Sequence, residues 1–283
     1  MIKLIECPRD AMQGLQDFIP TQTKAEYINA LLRVGFDTID FGSFVSPKAI
    51  PQMADTREVL SRLDLSTTRS RLLAIVANER GAREAAACSE ITYLGYPFSV
   101  SETFQLRNTN ATIEESVARI SQIQDICTTN GKQLVTYISM GFGNPYGDEW
   151  NVEIVEKWTE RLNELGIRIF SLSDTIGVAN PASIRYLFSN LIPRFPEAEF
   201  GAHLHTDPNT WHEKVDAAWQ SGCRRFDCAM HGFGGCPMAK DDLTGNMATE
   251  NVIHFLDEHA IDHNLNKKAL LEAHSMASIV FPG

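Results

Sequence analysis

The stretch "GAHLHTD" (residues 201–207) sets His203 and His205 two positions apart in a run with strand character. Alternate residues of a strand share a face, so both imidazoles point the same way. Taken alone, a His-x-His fits an ordinary polar strand end as well as it fits a site. Other positions shift that balance. Arg9 and Asp10 follow the first apolar run, Asp40 and Ser43 end the second, and Ser171, Ser173 and Asp174 end a later one. After the last run comes "HGFGGCPMAKDDLTGN", with four glycines, Cys236 and Asn246. Neutral imidazoles and carboxylates bind divalent cations, and Asp10 with His203 and His205 makes a mixed nitrogen and oxygen set. Zinc would prefer a closed tetrahedral set, or three ligands and a water. Adding the amide oxygen of Asn246 and leaving positions open suits a six-coordinate Mg²⁺ or Mn²⁺ that also takes substrate oxygens.

Elements must bring these residues together. Strand-like runs are "IKLIEC", "FDTIDFGSF", "RLLAIVAN", "EITYLGYP", "KQLVTYISM", "IRIFSLSDT", "EFGAHLHT" and "RRFDCAM". Helical patterns lie between them, over residues 21–34, 54–63, 79–88, 112–130, 151–165, 181–192 and 209–221, with 247–259 as the last. "TIEE" at Thr112 to Glu115 predicts a capping box, and "NPAS" predicts Asn180 as N-cap with Pro181 at the first helical position. Eight strands alternating with eight helices argue for parallel pairing through crossover helices. An open doubly wound sheet would need support from a G-x-G-x-x-G after the first strand, and there is none. The length matches a single (β/α)₈ barrel over residues 1–283, whose chemistry sits at the C-terminal strand ends. The polar residues named above fall at those ends.

Composition narrows the partners. A net charge of −11 without a basic cluster argues against nucleic acid. The longest apolar runs, such as "LLAIVA", are far below a membrane span, and "MIKLIECPRD" is too short and polar for a signal segment. Six cysteines without metal-finger spacing then point to reduced thiols in a cytoplasm. Cys7, Cys88, Cys127, Cys223 and Cys228 are expected to pack as small hydrophobes.

"CPRDAMQ", "SFVSPKAIPQMAD", "SLSDTIGV", "AHLHTD", "GFGGCP" and "GNMATE" together resemble the 3-hydroxy-3-methylglutaryl-CoA lyase family of metal-dependent barrels. The segments keep the family's order from residue 3 to about 272. The resemblance implies cleavage of a 3-hydroxy-3-methylglutaryl-CoA-like thioester to acetyl-CoA and acetoacetate. It places the metal ligands at Asp10, His203, His205 and Asn246. It makes Arg9 the group that stabilises the enolate oxygen and Cys236 the loop thiol that moves a proton. Asp40, Asp174 and Glu250 fall at the family's active-site carboxylates, with Asp40 where Glu is usual. His203 or a nearby carboxylate is the expected base. Gln13, Ser43, Lys48 and Arg107 are expected to meet the substrate, and a homodimer or higher homo-oligomer is expected.

The departures concern the acyl carrier. Gln16 stands where the family has a lysine, Leu106 and Arg107 replace paired lysines, and His231 replaces a small residue. The Cys236-to-Asn246 loop is one residue longer, with Asp241 and Asp242 in the added region. A Claisen-type synthase of the same superfamily and a non-catalytic ligand-binding barrel are the competing readings. The cysteine loop and the absence of a regulatory segment after residue 283 favour the lyase.

Overall fold

Eight parallel strands close on themselves in the computed structural model of the chain, which describes residues 1–235 and 244–281. The strands are β1 (Lys3–Glu6), β2 (Thr38–Ser43), β3 (Arg71–Ile75), β4 (Ile91–Ser99), β5 (Gln133–Ser139), β6 (Ile169–Ser173), β7 (Glu199–His203), β8 (His205–Thr206), β9 (Arg225–Cys228) and β10 (Gly245–Asn246). β1 to β7 and β9 form the barrel, while β8 and β10 pair antiparallel on its rim. Closure comes from β9 against β1, with Leu4 opposite Phe226 and Glu6 opposite Cys228. The helices are α1 (Pro8–Gln13), α2 (Thr21–Val34), α3 (Thr56–Leu60), α4 (Glu79–Ala86), α5 (Glu102–Thr109), α6 (Ile113–Thr129), α7 (Val152–Glu164), α8 (Pro181–Arg194), α9 (Trp211–Gln220), α10 (Thr249–Glu258) and α11 (Lys267–Val280).

Strands covered on both faces read as continuous apolar runs, and β2 and β6 are buried at every position. One core lies between strands and helices. A smaller one, with Leu73, Ile75, Tyr93, Val135, Tyr137 and Ile169, fills the barrel interior. The barrel is therefore a packed scaffold with its polar residues free to gather at one mouth. The capping box at Thr112 and Glu115 forms as expected, and Asn180 caps α8 with Pro181 behind it.

Three helices go beyond the sequence reading. Pro8 starts α1 directly out of β1, so Arg9 and Asp10 stand in a six-residue helix that the sequence pattern does not show. Ser101 caps α5, accepting a bond from the Phe104 N–H. Residues 247–259 are not the last helix, because α11 follows. Its Ala269, Ala273 and Ala277 bury a stripe of small residues, and it packs along α2. Small side chains give that stripe a weak hydropathy signal. The helix expected over 54–63 resolves into a 3₁₀ turn at Pro51–Met53 and the short α3. Among the described residues no helix is long and apolar enough to cross a membrane.

Candidate active site

The rim pair β8–β10 answers what the two histidines meet. Asn246 lies opposite His205 in that ladder. Its Nδ2 donates to Asp10 Oδ2 at 2.8 Å and to the Phe233 carbonyl at 2.9 Å. Gly234, at φ 92°, lets the chain cross here, since a Cβ would sit 2.7 Å from Asn246 Nδ2 and 2.8 Å from Ala11 Cα. Donor atoms of Asp10, His203 and His205 all lie within 4.8 Å of one another. Ligands 2.0–2.2 Å from one cation stand roughly 3 to 4.4 Å apart, inside that limit. The three residues can share an ion.

Behind this set, the barrel orients each member. His203 Nδ1 faces Asp227 Oδ2 at 3.2 Å, and that oxygen also accepts from Ser171 Oγ at 2.8 Å. The Tyr137 ring stands edge-on to His203 with centroids 5.7 Å apart. Helical spacing in α1 explains Gln13. It lies four residues from Arg9 and three from Asp10, so it accepts from Arg9 Nη1 at 3.0 Å and donates to Asp10 Oδ1 at 2.8 Å. Arg9 Nη1 also donates to Asp10 at 2.8 Å, while its Nε and Nη2 clamp the Asp40 carboxylate. Of its five donor protons, one on Nη2 has no acceptor among the described residues.

Protonation follows from these contacts. Burial pushes the Asp40 carboxyl up to about 6 against the pull of Arg9, so it is ionised at neutral pH. Burial is the largest influence on Asp10 too and would raise it, but Arg9, His203 and Asn246 together hold it below the carboxylate range. His205 is pushed down to about 4 by burial, then by His203, and is a neutral imidazole. Burial would also lower His203, but the hydrogen bond and charge of Asp227 raise it above the usual imidazole value. A carboxylate, a neutral imidazole, an amide and a second imidazole held by a carboxylate behind it fit a divalent cation.

A cavity of about 370 Å³ opens over these residues. Arg9, Asp10, Gln13, His203, His205 and Arg107 line it. Arg107 stands 4.6 Å from the centre of the Tyr146 ring. Asp40 sits behind Arg9 and Asn246 behind Asp10, both buried. Lys48 is exposed in the loop whose Ala49 and Ile50 reach the cavity. Three expected residues point elsewhere. Ser43 Oγ accepts the Val45 N–H and braces the backbone after β2. Asp174 is paired to Lys214 at 2.9 Å and to the Ala179 N–H, so its carboxylate holds a loop and does not line the cavity. Glu250 accepts the His231 N–H and faces His274 on the outer rim. Cys236, Asp241 and Asp242 lie outside the described residues. Cys7, Cys127, Cys223 and Cys228 are buried free thiols, and Cys88 is half-buried.

Sequence reasoning misses Asp227 and Tyr137. The signal for Asp227 is parity, because Arg225 and Asp227 alternate on β9 and share the barrel interior, where a charge needs a reason. Tyr137 carries none. Its buried hydroxyl at the cavity wall has no hydrogen-bond partner among the described residues.

Comparison with known proteins agrees with this geometry. The HMGL-like family description matches residues 2–277. The chain belongs to that family. HMGL-like relatives include hydroxymethylglutaryl-CoA lyase YngG of Bacillus subtilis, 34% identical over 266 residues, which cover 94% of this chain and 88% of the relative. The (R)-citramalyl-CoA lyase of Chloroflexus aurantiacus is 32% identical over 275 residues, 94% of this chain and 86% of its own. An HMG-CoA lyase structure from Acinetobacter baumannii, in complex with coenzyme A and 3-methylmalate, superposes with a TM-score of 0.91 at 30% identity. It covers 99% of this chain and 91% of that one.

Proposed function

We propose that this chain is a divalent-metal-dependent carbon–carbon lyase that cleaves a 3-hydroxy-3-methylglutaryl-CoA-like thioester to acetyl-CoA and acetoacetate. The observation that carries the reading is the juxtaposition, on one cavity floor, of the Asp10–His203–His205 set with a fixed Arg9. Asp10, His203, His205 and Asn246 would hold Mg²⁺ or Mn²⁺, which when bound would lower the pKa of a substrate hydroxyl and polarise its oxygens.

The residues divide the remaining work. In the cleavage, the C3 hydroxyl loses its proton, its oxygen becomes a carbonyl, the C2–C3 bond breaks, and the electron pair forms the thioester enolate. Arg9, clamped by Asp40, presents its uncommitted Nη2 proton and full charge to that enolate oxygen. His203 cannot be both ligand and base, because Asp227 takes one ring nitrogen and leaves one for the cavity. Asp10 is the only carboxylate lining the cavity among the described residues, and it takes the proposed base role by giving up one of the hydrogen bonds it accepts from Arg9, Gln13 and Asn246. Cys236 is the proposed donor that protonates the enolate carbon. The Tyr137 hydroxyl, which has no partner among the described residues, is available to bond the substrate.

The carrier end is poorer in charge. Arg9 and Arg107 are the only cationic side chains lining the cavity among the described residues, and Gln16 brings none. A charge-assisted contact contributes about 1.5–3 kcal/mol, so losing one weakens CoA binding roughly tenfold or more. The expected substrate is therefore a β-hydroxyacyl thioester recognised mainly through its acyl part. Purified protein with Mg²⁺ or Mn²⁺ is assayed for acetyl-CoA release from 3-hydroxy-3-methylglutaryl-CoA and citramalyl-CoA, with a pantetheine thioester alongside. Turnover that chelation abolishes is expected, with the shorter thioester accepted. Full activity after chelation sinks the metal role, and a preference of several orders of magnitude for the CoA ester sinks the relaxed carrier.

A further inference from the structure

A second group of two imidazoles and a carboxylate lies on the outer rim of the barrel mouth, apart from the cavity. His231, Glu250 and His274 bring donor atoms within 4.8 Å of one another. The three come from different elements: the 3₁₀ turn at Met230–Gly232 after β9, the first turn of α10, and the middle of α11. His274 Nε2 stands 3.5 Å from Glu250 Oε1, and the two imidazole rings are 4.1 Å apart, centre to centre, at 44°. The His231 N–H donates to both Glu250 oxygens, at 3.2 and 3.1 Å, which fixes the carboxylate against the turn. All three are half-buried, so a hydrated ion can reach them.

His231 is also where the backbone is strained. It holds φ 59° and ψ 7°, a left-handed conformation that costs a residue with a Cβ and that glycine adopts freely. A glycine follows at once, yet the strained position itself carries an imidazole. The side chain reaches back over α11, with Nε2 3.2 Å from the His274 carbonyl and 3.4 Å from Ser278 Oγ.

From this geometry we infer that His231, Glu250 and His274 form a second metal site, selective for a borderline transition cation of the Zn²⁺ class. Two nitrogens and one oxygen, without the further amide oxygen that Asn246 offers the cavity set, favour Zn²⁺ or Co²⁺ with water completing the shell over the oxygen-seeking Mg²⁺ and Ca²⁺. The bound ion ties α11 to the turn from which the chain runs on to Gly234 over Asp10 and Asn246. Its effect is on the stability of that corner and on the position of the loop base.

The test uses the full chain, Zn²⁺ titrated by calorimetry, and Co²⁺ as a visible-absorption probe. Four proteins are compared: wild type, His274→Ala, His231→Gly and the cavity variant His205→Ala. A Zn²⁺ equivalent present in wild type and His205→Ala, and missing from both rim variants, is the expected result. Co²⁺ should show a d–d spectrum that the rim variants lack. His231→Gly should keep or raise the metal-free Tm, because glycine suits the left-handed position, while losing the Tm rise that Zn²⁺ gives wild type. The site is overturned if wild type and His274→Ala bind the same number of Zn²⁺ ions, or if His205→Ala abolishes all Zn²⁺ binding. Should one rim variant fail to fold, the other decides alone.

Discussion

Two arginines are buried in this barrel, and they are buried for different ends. Arg9 sits at the mouth with four of its five protons committed to Asp40, Asp10 and Gln13. Arg225 lies deeper, 1% exposed, bonded to Glu199 at 3.2 Å and 3.9 Å from Asp227, with its Nε and Nη2 lacking any hydrogen-bond partner among the described residues. Its aliphatic stem also fills the space over Gly201, where a Cβ would come within 2.8 Å. A charge held rigidly by hydrogen bonds, with one donor left over beside a cavity, is organised toward a ligand. A charge that packs its stem and leaves donors unpaired serves the charge balance of the barrel. Burial would raise Asp227, but His203 first, then Arg225 and Ser171, hold it below the usual carboxylate range, and Asp227 in turn orients His203. The lower layer thus acts on the upper one through a single carboxylate.

Paired truncations give the largest expected effect. Arg9→Met should lower kcat by about 10² to 10³, the loss typical of removing one oxyanion donor. It also strands Asp40, so the Arg9→Met, Asp40→Asn double variant should regain stability without regaining turnover. Arg225→Met should reverse the pattern. Breaking a buried pair costs roughly 3–5 kcal/mol, so Tm falls sharply while the folded fraction keeps most of its kcat. Equal kcat losses in the two, measured on folded protein, would erase the distinction.

The link between the layers comes next. Asp227→Asn keeps the shape and removes the charge behind His203. Loss of such an outer partner typically costs 10–100-fold in metal affinity or activity, so roughly that loss is expected in a Mn²⁺ titration. Unchanged affinity would mean that Asp227 only balances Arg225 and does not orient the ligand.

How much of this was written plainly in the chain depends on the scale of the pattern. Strands buried on both faces announce themselves as apolar runs, and all eight were legible, as were His203, His205, Asp10 and Arg9 at their ends. Asp174 and Glu250 were legible as residues near the mouth but not in their aim. Whether a carboxylate enters the cavity depends on partners distant in sequence, here Lys214 and the His231 N–H. Gln13 entered the site through α1, a helix too short for periodicity to show. Asp227 was hidden because a polar residue inside a strand gives no local sign of its partner. The resemblance to the lyase family added the roles.

The smallest effect on turnover, and a different kind of break, concerns Glu6. It ends β1 one layer from Arg9 but faces outward, under the rim. It accepts from the Met230 N–H at 2.8 Å and from the Thr249 hydroxyl, so it holds the residues that precede His231 and Glu250. Burial raises its pKa to about 8, with Glu250 adding to the rise and those two hydrogen bonds opposing it. Tyr27 and Cys228 are the other titratable groups close enough to feel its charge. An unfolded glutamate titrates near 4.3. Between that value and about 8 the unfolded chain has released the proton that the folded chain keeps, so stability declines as pH rises through this window. Each pK unit is about 1.4 kcal/mol, which for chains of this order moves Tm by roughly 2–4 °C per kcal/mol. Glu6→Gln retains an acceptor and cannot ionise. Its Tm should therefore fall less than that of wild type between pH 5 and pH 8, with kcat at neutral pH little changed. Parallel Tm profiles for the two proteins would show that Glu6 is already ionised in the fold and that the rim, like the mouth, is held by a full charge.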